Sequence, residues 1–189
     1  AKMNIFGSNK ELQILKRFGR GDASAMDMLY AEYADYLTGV CCRYIGNEDD
    51  RKDVLQEAFI KIFTSIGHFS YRGEGSLKAW VTRIAVNEAL QYLRQQCRWS
   101  PIDSDAPLPD HTEEEPPDPT ISTDRLVELI QQLPPGYRAV FNLFAIEGLS
   151  HKEIARQLGI TPSTSASQYF KARAMLARMI KENKNNNNP

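Results

Sequence analysis

An acidic, proline-rich segment at residues 99–123 constrains this chain more than any other feature of its sequence. The segment holds seven Asp and Glu residues, six prolines and no Lys or Arg. Proline removes an amide donor and biases its predecessor away from helix, so we expect the segment to be extended and solvated. The sequence therefore predicts two folded domains, at residues 1–98 and 124–182, joined by a linker at 99–123. The Asn-rich end, 183–189, is expected to fray.

The composition excludes several classes of protein. Hydrophobic residues make up 42% of the 189 and charged residues 25%, the mix of a soluble globular protein. No apolar run approaches the roughly 20 residues that a membrane span needs, and no signal peptide is recognisable, so we expect a cytoplasmic protein without membrane insertion. The three cysteines form no CxxC pair, which argues against a disulfide-stapled domain and a structural zinc site.

The first domain has the spacing of three successive helices. Asp22 can cap the first helix, and the apolar stripe of that helix reaches Tyr44. Because Cys41 lies on this stripe, we interpret it as a small, buried apolar side chain. The second begins near residues 49–50 and has Asp53, Gln56, Glu57 and Lys61 on its outer face. On spacing alone, a solvated face is the favoured explanation of that pattern, because Asp53, Glu57 and Lys61 stack at four-residue intervals.

A loop with two aromatic residues precedes the third helix, which runs from Leu77 to about Gln96. Phe69, Tyr71 and Arg72 lie in this loop, and such residues suit stacking with unpaired bases. They suit a loop packed onto the core as well. Basic and amide side chains on the third helix could contact phosphates and base edges, namely Arg83, Asn87, Gln91, Arg94 and Arg98.

The second domain carries the signature of a helix-turn-helix. Ser150 and Glu153 have the spacing of a capping box, which opens a short helix that Gly159 closes. Thr161 can then cap a further helix with Pro162 in its first turn, where proline costs no hydrogen bond. A helix, a glycine-containing turn and a capped helix make up the helix-turn-helix motif.

The last helix separates into two faces. Its packing face is predicted to hold Ser165, Tyr169, Ala172, Leu176 and Met179. On the other face, Ser167 and Lys171 could reach bases or phosphates, and an exposed Phe170 could contact a thymine methyl. A solvated helix with one unpaired aromatic is the alternative, but seven bases against two acids from Lys152 to Lys184 favour DNA binding.

Two blocks of the chain resemble bacterial sigma factors of the extracytoplasmic-function (ECF) subclass. The first block comprises residues 53–63 (DVLQEAFIKIF), 69–80 (FSYRGEGSLKAW) and 83–94 (RIAVNEALQYLR), and the second runs from Leu133 through EGLSHKEIA at 147–155 to Gly159. The direct joining of the blocks, with no folded domain between them, points to this subclass. The resemblance implies an all-α fold of two small helical domains, of region 2 type and region 4 type, and the role of an alternative sigma factor.

The resemblance also implies partners and roles for particular residues. Asp53, Gln56 and Glu57 match the surface that binds the clamp helices of the largest subunit of core RNA polymerase. Phe69, Tyr71 and Arg72 match the loop that captures a flipped base of the minus-ten element; Asn87 matches a position that helps recognise that element, and Arg83 and Arg94 would hold phosphates. Residues of the last helix would contact the minus-thirty-five element: Ser163, Ser167, Gln168, Phe170, Lys171 and Arg173.

Further implications concern the linker and regulation. In the family the connector passes near the active-site cleft of the polymerase, formed by its two largest subunits. The linker acids could occupy basic surface meant for RNA, or the linker could be a solvated spacer. The resemblance further implies an anti-sigma factor as a partner. The chain departs from the family at two positions of the last helix. Ala166 stands where the family commonly has a basic residue, and Gln168 where it commonly has arginine. The minus-thirty-five sequence therefore cannot be carried over from relatives.

Two other classes of protein were weighed against a sigma factor. A helix-turn-helix regulator would bind a palindromic site as a dimer and without polymerase. An enzyme would need a reactive constellation, but His68, His111 and His151 are isolated, and no metal-ligand spacing, nucleophile motif or phosphate-binding GxxxxGK loop occurs. We therefore expect no catalytic residue, no metal and no other cofactor.

Overall fold

The computed structural model describes residues 9–96 and 121–186, and this part of the chain contains helices, turns and no strand. The all-α prediction is confirmed. The chain divides into two compact units, one of residues 1–41 and 47–89 and the other of residues 42–46 and 90–189. Nearly all of the predicted linker lies outside the described residues.

The first unit is built on four helices and a short 3-10 turn. They are α1 (Lys10–Gly19), α2 (Ser24–Cys42), α3 (Glu48–Ser65), the 3-10 turn Ile66–His68 and α4 (Ser76–Gln96). The last residue of α2 and residues 90–96 of α4 belong to the second unit. The Asn47 side chain accepts a hydrogen bond from the Asp50 amide and so caps α3. The sequence predicted α2, α3 and α4, whereas α1 was not predicted.

The core of the first unit comes from the apolar stripes of α2, α3 and α4. Leu29, Leu37, Ala58, Ile62, Leu77, Val81 and Ala85 are all fully buried. Cys41 is fully buried on the same stripe of α2, as the sequence predicted. The buried stripe of α3 fixes which of its residues face outward, because successive residues turn around a helix by a constant angle.

The second unit contains α5 (Thr123–Gln132), α6 (Pro135–Phe141), α7 (His151–Leu158) and α8 (Pro162–Asn186). The expected helix from Tyr137 to Ile146 begins two residues earlier and changes at Asn142 into a π-type turn, Asn142–Ile146. A buried cluster joins α5, α6 and α8 through Leu129, Ile130, Leu133, Tyr137, Ala172 and Leu176. Helix α8 extends to Asn186, into the segment expected to fray; the rest of that segment lies outside the described residues.

Candidate functional surfaces

The outer face of α3 presents polar side chains that have no partner of their own. Asp53, Gln56 and Glu57 are exposed, and their side chains make no ion pair or hydrogen bond with any other residue in the ranges 9–96 and 121–186. Lys61, which the spacing could have paired with Glu57, instead contacts Glu88 of α4, with Nζ 2.6 Å from Oε1. The two carboxylates on this face are therefore not paired with any cation among the residues that the structure describes.

The loop between the 3-10 turn and α4 is half-buried rather than free in solvent. The Phe69 ring packs on the Trp80 ring of α4, with centroids 5.2 Å apart. The Tyr71 hydroxyl accepts a hydrogen bond of 2.6 Å from Nδ2 of Asn9, at the start of α1. Arg72 is exposed. Phe69 therefore packs onto the unit, whereas stacking of this loop on unpaired bases stays a prediction.

A tight turn links this loop to α4. The Ser76 hydroxyl donates to the Gly73 carbonyl at 2.6 Å and accepts from the Arg72 amide at 3.2 Å. Gly75 has φ of 84°, a conformation that residues with a Cβ rarely adopt. The turn thus sets the direction in which the chain passes from the loop into α4.

The first turn of α4 is capped by a carboxylate from α1. Glu11 Oε2 accepts hydrogen bonds from the Gly75 amide at 3.1 Å and the Leu77 amide at 3.4 Å, and Oε1 accepts from the Lys78 amide at 3.0 Å. The Tyr33 hydroxyl donates to Oε1 at 3.3 Å. Burial and the adjacent negative charge of Glu11 raise the pKa of the Tyr33 phenol, so the hydroxyl stays protonated and remains a donor.

One face of α4 presents a row of polar and basic residues. Arg83, Asn87 and Arg94 are exposed, and their spacings of four and seven residues align them along one side of the helix. The opposite side contains Val81, Ala85 and other buried residues. Arg83, Asn87 and Arg94 therefore share a single surface of α4, while Arg98, also predicted to contact DNA, lies outside the described residues.

Local capping builds the helix-turn-helix. The Glu153 amide donates to the Ser150 hydroxyl at 3.3 Å, and the Glu153 carboxylate accepts from the Ser150 amide at 2.8 Å, which completes the predicted capping box. Gly159 ends α7 with φ of 72°. The Thr161 hydroxyl accepts from the Thr164 amide at 3.1 Å and caps α8.

An aromatic cluster connects the two helices of the motif. The His151 ring of α7 stacks on Phe144, with centroids 4.3 Å apart and planes 8° from parallel. His151 Nδ1 lies 3.0 Å from the hydroxyl of Ser165, a buried residue of α8. These contacts fix which side of α8 packs inward and which side faces solvent.

The residues predicted to contact the minus-thirty-five element do not all lie on the exposed side of α8. Ser163, Phe170 and Arg173 are exposed and Ser167 is half-buried, but only 2% of Gln168 and 8% of Lys171 are exposed. The expectation that Lys171 faces outward was wrong in this structure. Lys171 directly precedes buried Ala172 and follows buried Gln168 by three residues, so it lies at the edge of the packed stripe.

Family models match the chain in two places. The model described as Sigma-70 region 2 matches residues 29–98, and that described as Sigma-70, region 4 matches residues 123–176. The RNA polymerase sigma-H factor of Pseudomonas aeruginosa is 32% identical over 184 residues, covering 90% of this chain and 94% of the relative. The ECF RNA polymerase sigma-E factor of Haemophilus influenzae is 33% identical over 179 residues, covering 88% and 93%.

The chain belongs to the ECF sigma factors. As a sigma factor it is a transcription initiation factor that associates with core RNA polymerase and promoter DNA. Two solved structures share the sigma fold. CnrH, in complex with the cytosolic domain of CnrY, gives a TM-score of 0.52 at 22% identity and covers 92% of this chain and 98% of that one. RpoE of Bartonella quintana, in complex with the anti-sigma factor NepR, gives a TM-score of 0.53 at 20% identity and covers 84% of this chain and 98% of that one.

The sequence of this sigma factor did not reveal how its loop at 69–76 is held. Glu11 and Asn9 supply those contacts, and both belong to an N-terminal helix that was not predicted. The only local signal was Asn9 followed by Glu11, a cap residue with an acid in the first turn. That signal indicates a helix start and says nothing about the second helix that Glu11 caps.

Within the ranges that the structure describes, no helix of the sigma factor is both long and apolar enough to cross a membrane. The same residues contain no group of three or more His, Cys, Asp or Glu side chains arranged to hold a metal ion.

Proposed function

We propose that this sigma factor docks on the clamp helices of the largest subunit of core RNA polymerase through Asp53, Gln56 and Glu57. The observation that carries the proposal is that these three exposed side chains make no ion pair or hydrogen bond with any residue in the two described ranges. A face kept only for solubility would be expected to pair Glu57 with Lys61 one turn later, but Lys61 contacts Glu88. Two uncompensated carboxylates and an amide suit a basic partner surface, since complementary charge speeds and orients association.

A second part of the proposal concerns capture of the melted minus-ten strand. Extruding a base costs a few kcal/mol, which stacking and recognition of the base edge can offset. Tyr71 and Arg72 offer an aromatic ring and a planar cation beside the Phe69–Trp80 pair. Asn87 can both donate to and accept from a base edge, and Arg83 and Arg94 on the same face of α4 suit backbone phosphates.

A third part concerns the minus-thirty-five element. We assign its recognition to α8, the second helix of the helix-turn-helix, whose N-terminal residues would enter the major groove. Ser163, Ser167, Phe170 and Arg173 are the accessible candidates. Gln168 and Lys171, which are buried here, would contribute only if their side chains turn outward on binding.

The sigma factor would act in the cytoplasm beside the polymerase, and the polymerase would carry out the chemistry of RNA synthesis. We also propose regulation by an anti-sigma factor. Support comes from the two structural neighbours, of which one is bound to the anti-sigma factor NepR and the other to the cytosolic domain of CnrY.

Binding to core polymerase tests the first part directly. The purified chain is mixed with bacterial core polymerase and the complex is followed by size exclusion, beside a variant carrying Asp53→Ala, Gln56→Ala and Glu57→Ala. A variant with Asp27→Ala and Asp35→Ala is the control, because it removes two exposed acids from α2. We expect the wild type and the control to co-elute with core and the triple variant to bind weakly. Equal binding of the triple variant would contradict the proposed surface.

A further inference from the structure

Glu11 is the one acidic residue that is buried among those the structure describes, with 7% of it exposed. Burying a carboxylate is unfavourable unless hydrogen bonds replace the lost water. Nothing in the polymerase-binding or DNA-binding surfaces uses Glu11 directly. We therefore expect Glu11, which lies in a helix of only ten residues, to stabilise the fold or to position other residues.

Besides the Tyr33 hydroxyl of α2, Glu11 accepts hydrogen bonds from backbone amides that lie at one place, the junction between the loop at 69–76 and α4. Three backbone amides, of Gly75, Leu77 and Lys78, donate to its two oxygens at 3.0–3.4 Å. Amides of the first helical turn have no partner within their own helix, and a negative charge there is further stabilised by the helix dipole. Glu11 thus supplies from another helix the cap that the sequence of α4 does not supply itself.

The same end of α1 also contacts the middle of the loop. Asn9 uses its side-chain oxygen to accept from the Glu11 amide at 3.1 Å, while its amide nitrogen donates to the Tyr71 hydroxyl at 2.6 Å. The start of α1 is therefore joined to Tyr71 within the loop and to the three amides at its end. Arg72 lies between these two points of attachment.

We propose that Glu11 is a positioning residue for capture of the minus-ten base, acting through the backbone of residues 75–78. The inference rests on the proposed capture by Tyr71 and Arg72. A loop held in its binding conformation before DNA arrives loses less conformational entropy on binding, and it presents its recognising groups in one geometry. Loss of the Glu11 contacts should therefore weaken discrimination between bases more than it weakens attachment to polymerase.

Glu11→Gln tests the proposal because it keeps the side-chain volume but replaces one acceptor oxygen by an NH₂ donor, which cannot accept from an amide. Glu32→Gln is the matched control, an acid-to-amide change at an exposed ion pair with Lys10. Holoenzymes of the wild type and both variants are used to select from a pool of short single-stranded DNA of random sequence. The readout is the enrichment of one base at a fixed position of the selected strands.

We expect the wild type and the Glu32→Gln variant to enrich the same base. Glu11→Gln should enrich it about tenfold less, which is the factor that corresponds to the loss of one charge-assisted hydrogen bond. Hydrogen exchange should become faster at residues 75–78 in Glu11→Gln, while the amides of α3 and the affinity for core polymerase stay unchanged. Glu11→Asp, which keeps the charge on a shorter side chain, should recover part of the enrichment.

Three results would overturn the inference. In the first, Glu11→Gln selects DNA as well as the wild type does. In the second, Glu11→Gln loses hydrogen-exchange protection throughout the first unit together with its affinity for core polymerase, which would show a purely structural role. In the third, the wild type itself enriches no base, and then the proposed capture of the minus-ten strand fails along with the inference. The wild-type selection separates this last result from the other two.

Discussion

The loop at 69–76 and the helix-turn-helix at 150–171 are stabilised by different kinds of contact. Each must hold a few exposed side chains in a fixed geometry at the start of a helix. The helix-turn-helix does so with residues close in sequence, such as Ser150 with Glu153 and Thr161 with Thr164. The loop depends on Glu11, more than sixty residues away, to cap the helix that follows it.

The comparison shows that the two candidate DNA-binding surfaces differ in what each depends on. The turn of the helix-turn-helix is stabilised by contacts that form as soon as its own helices form. The loop is held by contacts from the start of α1, so its conformation depends on the packing of α1 against the rest of the first unit. Changes in α1 should therefore alter the loop and leave the helix-turn-helix unaffected, while cap changes in α7 should do the reverse.

Glu11→Ala should have the largest effect. It leaves the amides of Gly75, Leu77 and Lys78 without their acceptor and the Tyr33 hydroxyl without a partner. We expect the free energy of unfolding of the first unit to fall by about 3 kcal/mol, the sum of a lost cap and a buried donor left unpaired. Urea denaturation followed by far-UV circular dichroism measures the loss. A loss below about 1 kcal/mol would show that the distant cap matters no more than a local one.

Gly75→Ala should have the next largest effect, because φ of 84° is unfavourable for a residue with a Cβ. No atom lies within 4 Å of the added methyl group, so the cost comes from backbone strain alone. We expect a loss of about 1–2 kcal/mol in the unfolding free energy of the first unit. Gly67→Ala, which also has open space but no positive φ, is the control. Equal effects of the two substitutions would contradict the strain argument.

Ser150→Ala removes one half of the capping box of α7. We expect a loss of about 1 kcal/mol, confined to the second unit, because the Glu153 amide loses its acceptor. Hydrogen exchange should become faster in the first turn of α7 and remain unchanged at residues 75–78. Faster exchange at residues 75–78 would mean that the two surfaces are not independent.

The smallest predicted effect is a pH dependence of the same cap. Hydrogen bonds from the Ser150 hydroxyl and amide, opposed slightly by desolvation, hold the pKa of Glu153 below its usual value of 4.5. A carboxyl with a lowered folded-state pKa stabilises the fold above its unfolded pKa, and this stabilisation is lost as the pH falls through the folded-state pKa. In thermal melting between pH 3 and pH 7, the Tm of Glu153→Gln should fall slightly less at acidic pH than the Tm of the wild type. Identical profiles would contradict this assignment.

Local sequence signals predicted the fold well where the contacts are local. The capping box, the glycine that ends α7 and the Pro162 start of α8 follow from rules of helix ends, and the structure has all three. The outward placement of Asp53, Gln56 and Glu57 follows from the buried stripe on α3 in the same way. These features depend only on spacing within one helix.

Spacing could not predict features that depend on packing between helices. Lys171 is polar and was expected to face outward, but its position at the edge of the stripe leaves it only 8% exposed. Lys61 has Glu57 one turn away and contacts Glu88 on another helix instead. Glu11 could not be assigned a role at all, because three of its partners are backbone amides, which every residue except proline carries, and the fourth is Tyr33 on another helix.

We propose that this sigma factor selects promoters for RNA polymerase through two DNA-binding surfaces, the loop at 69–76 with α4 and the exposed side of α8. The most direct test is to transcribe genomic DNA of its source organism in vitro with core polymerase, with and without the protein, and to sequence the 5′ ends of the transcripts. We expect new start sites that share one pair of sequence elements at a fixed spacing upstream. Start sites that match those of core polymerase alone would rule out promoter selection by this protein.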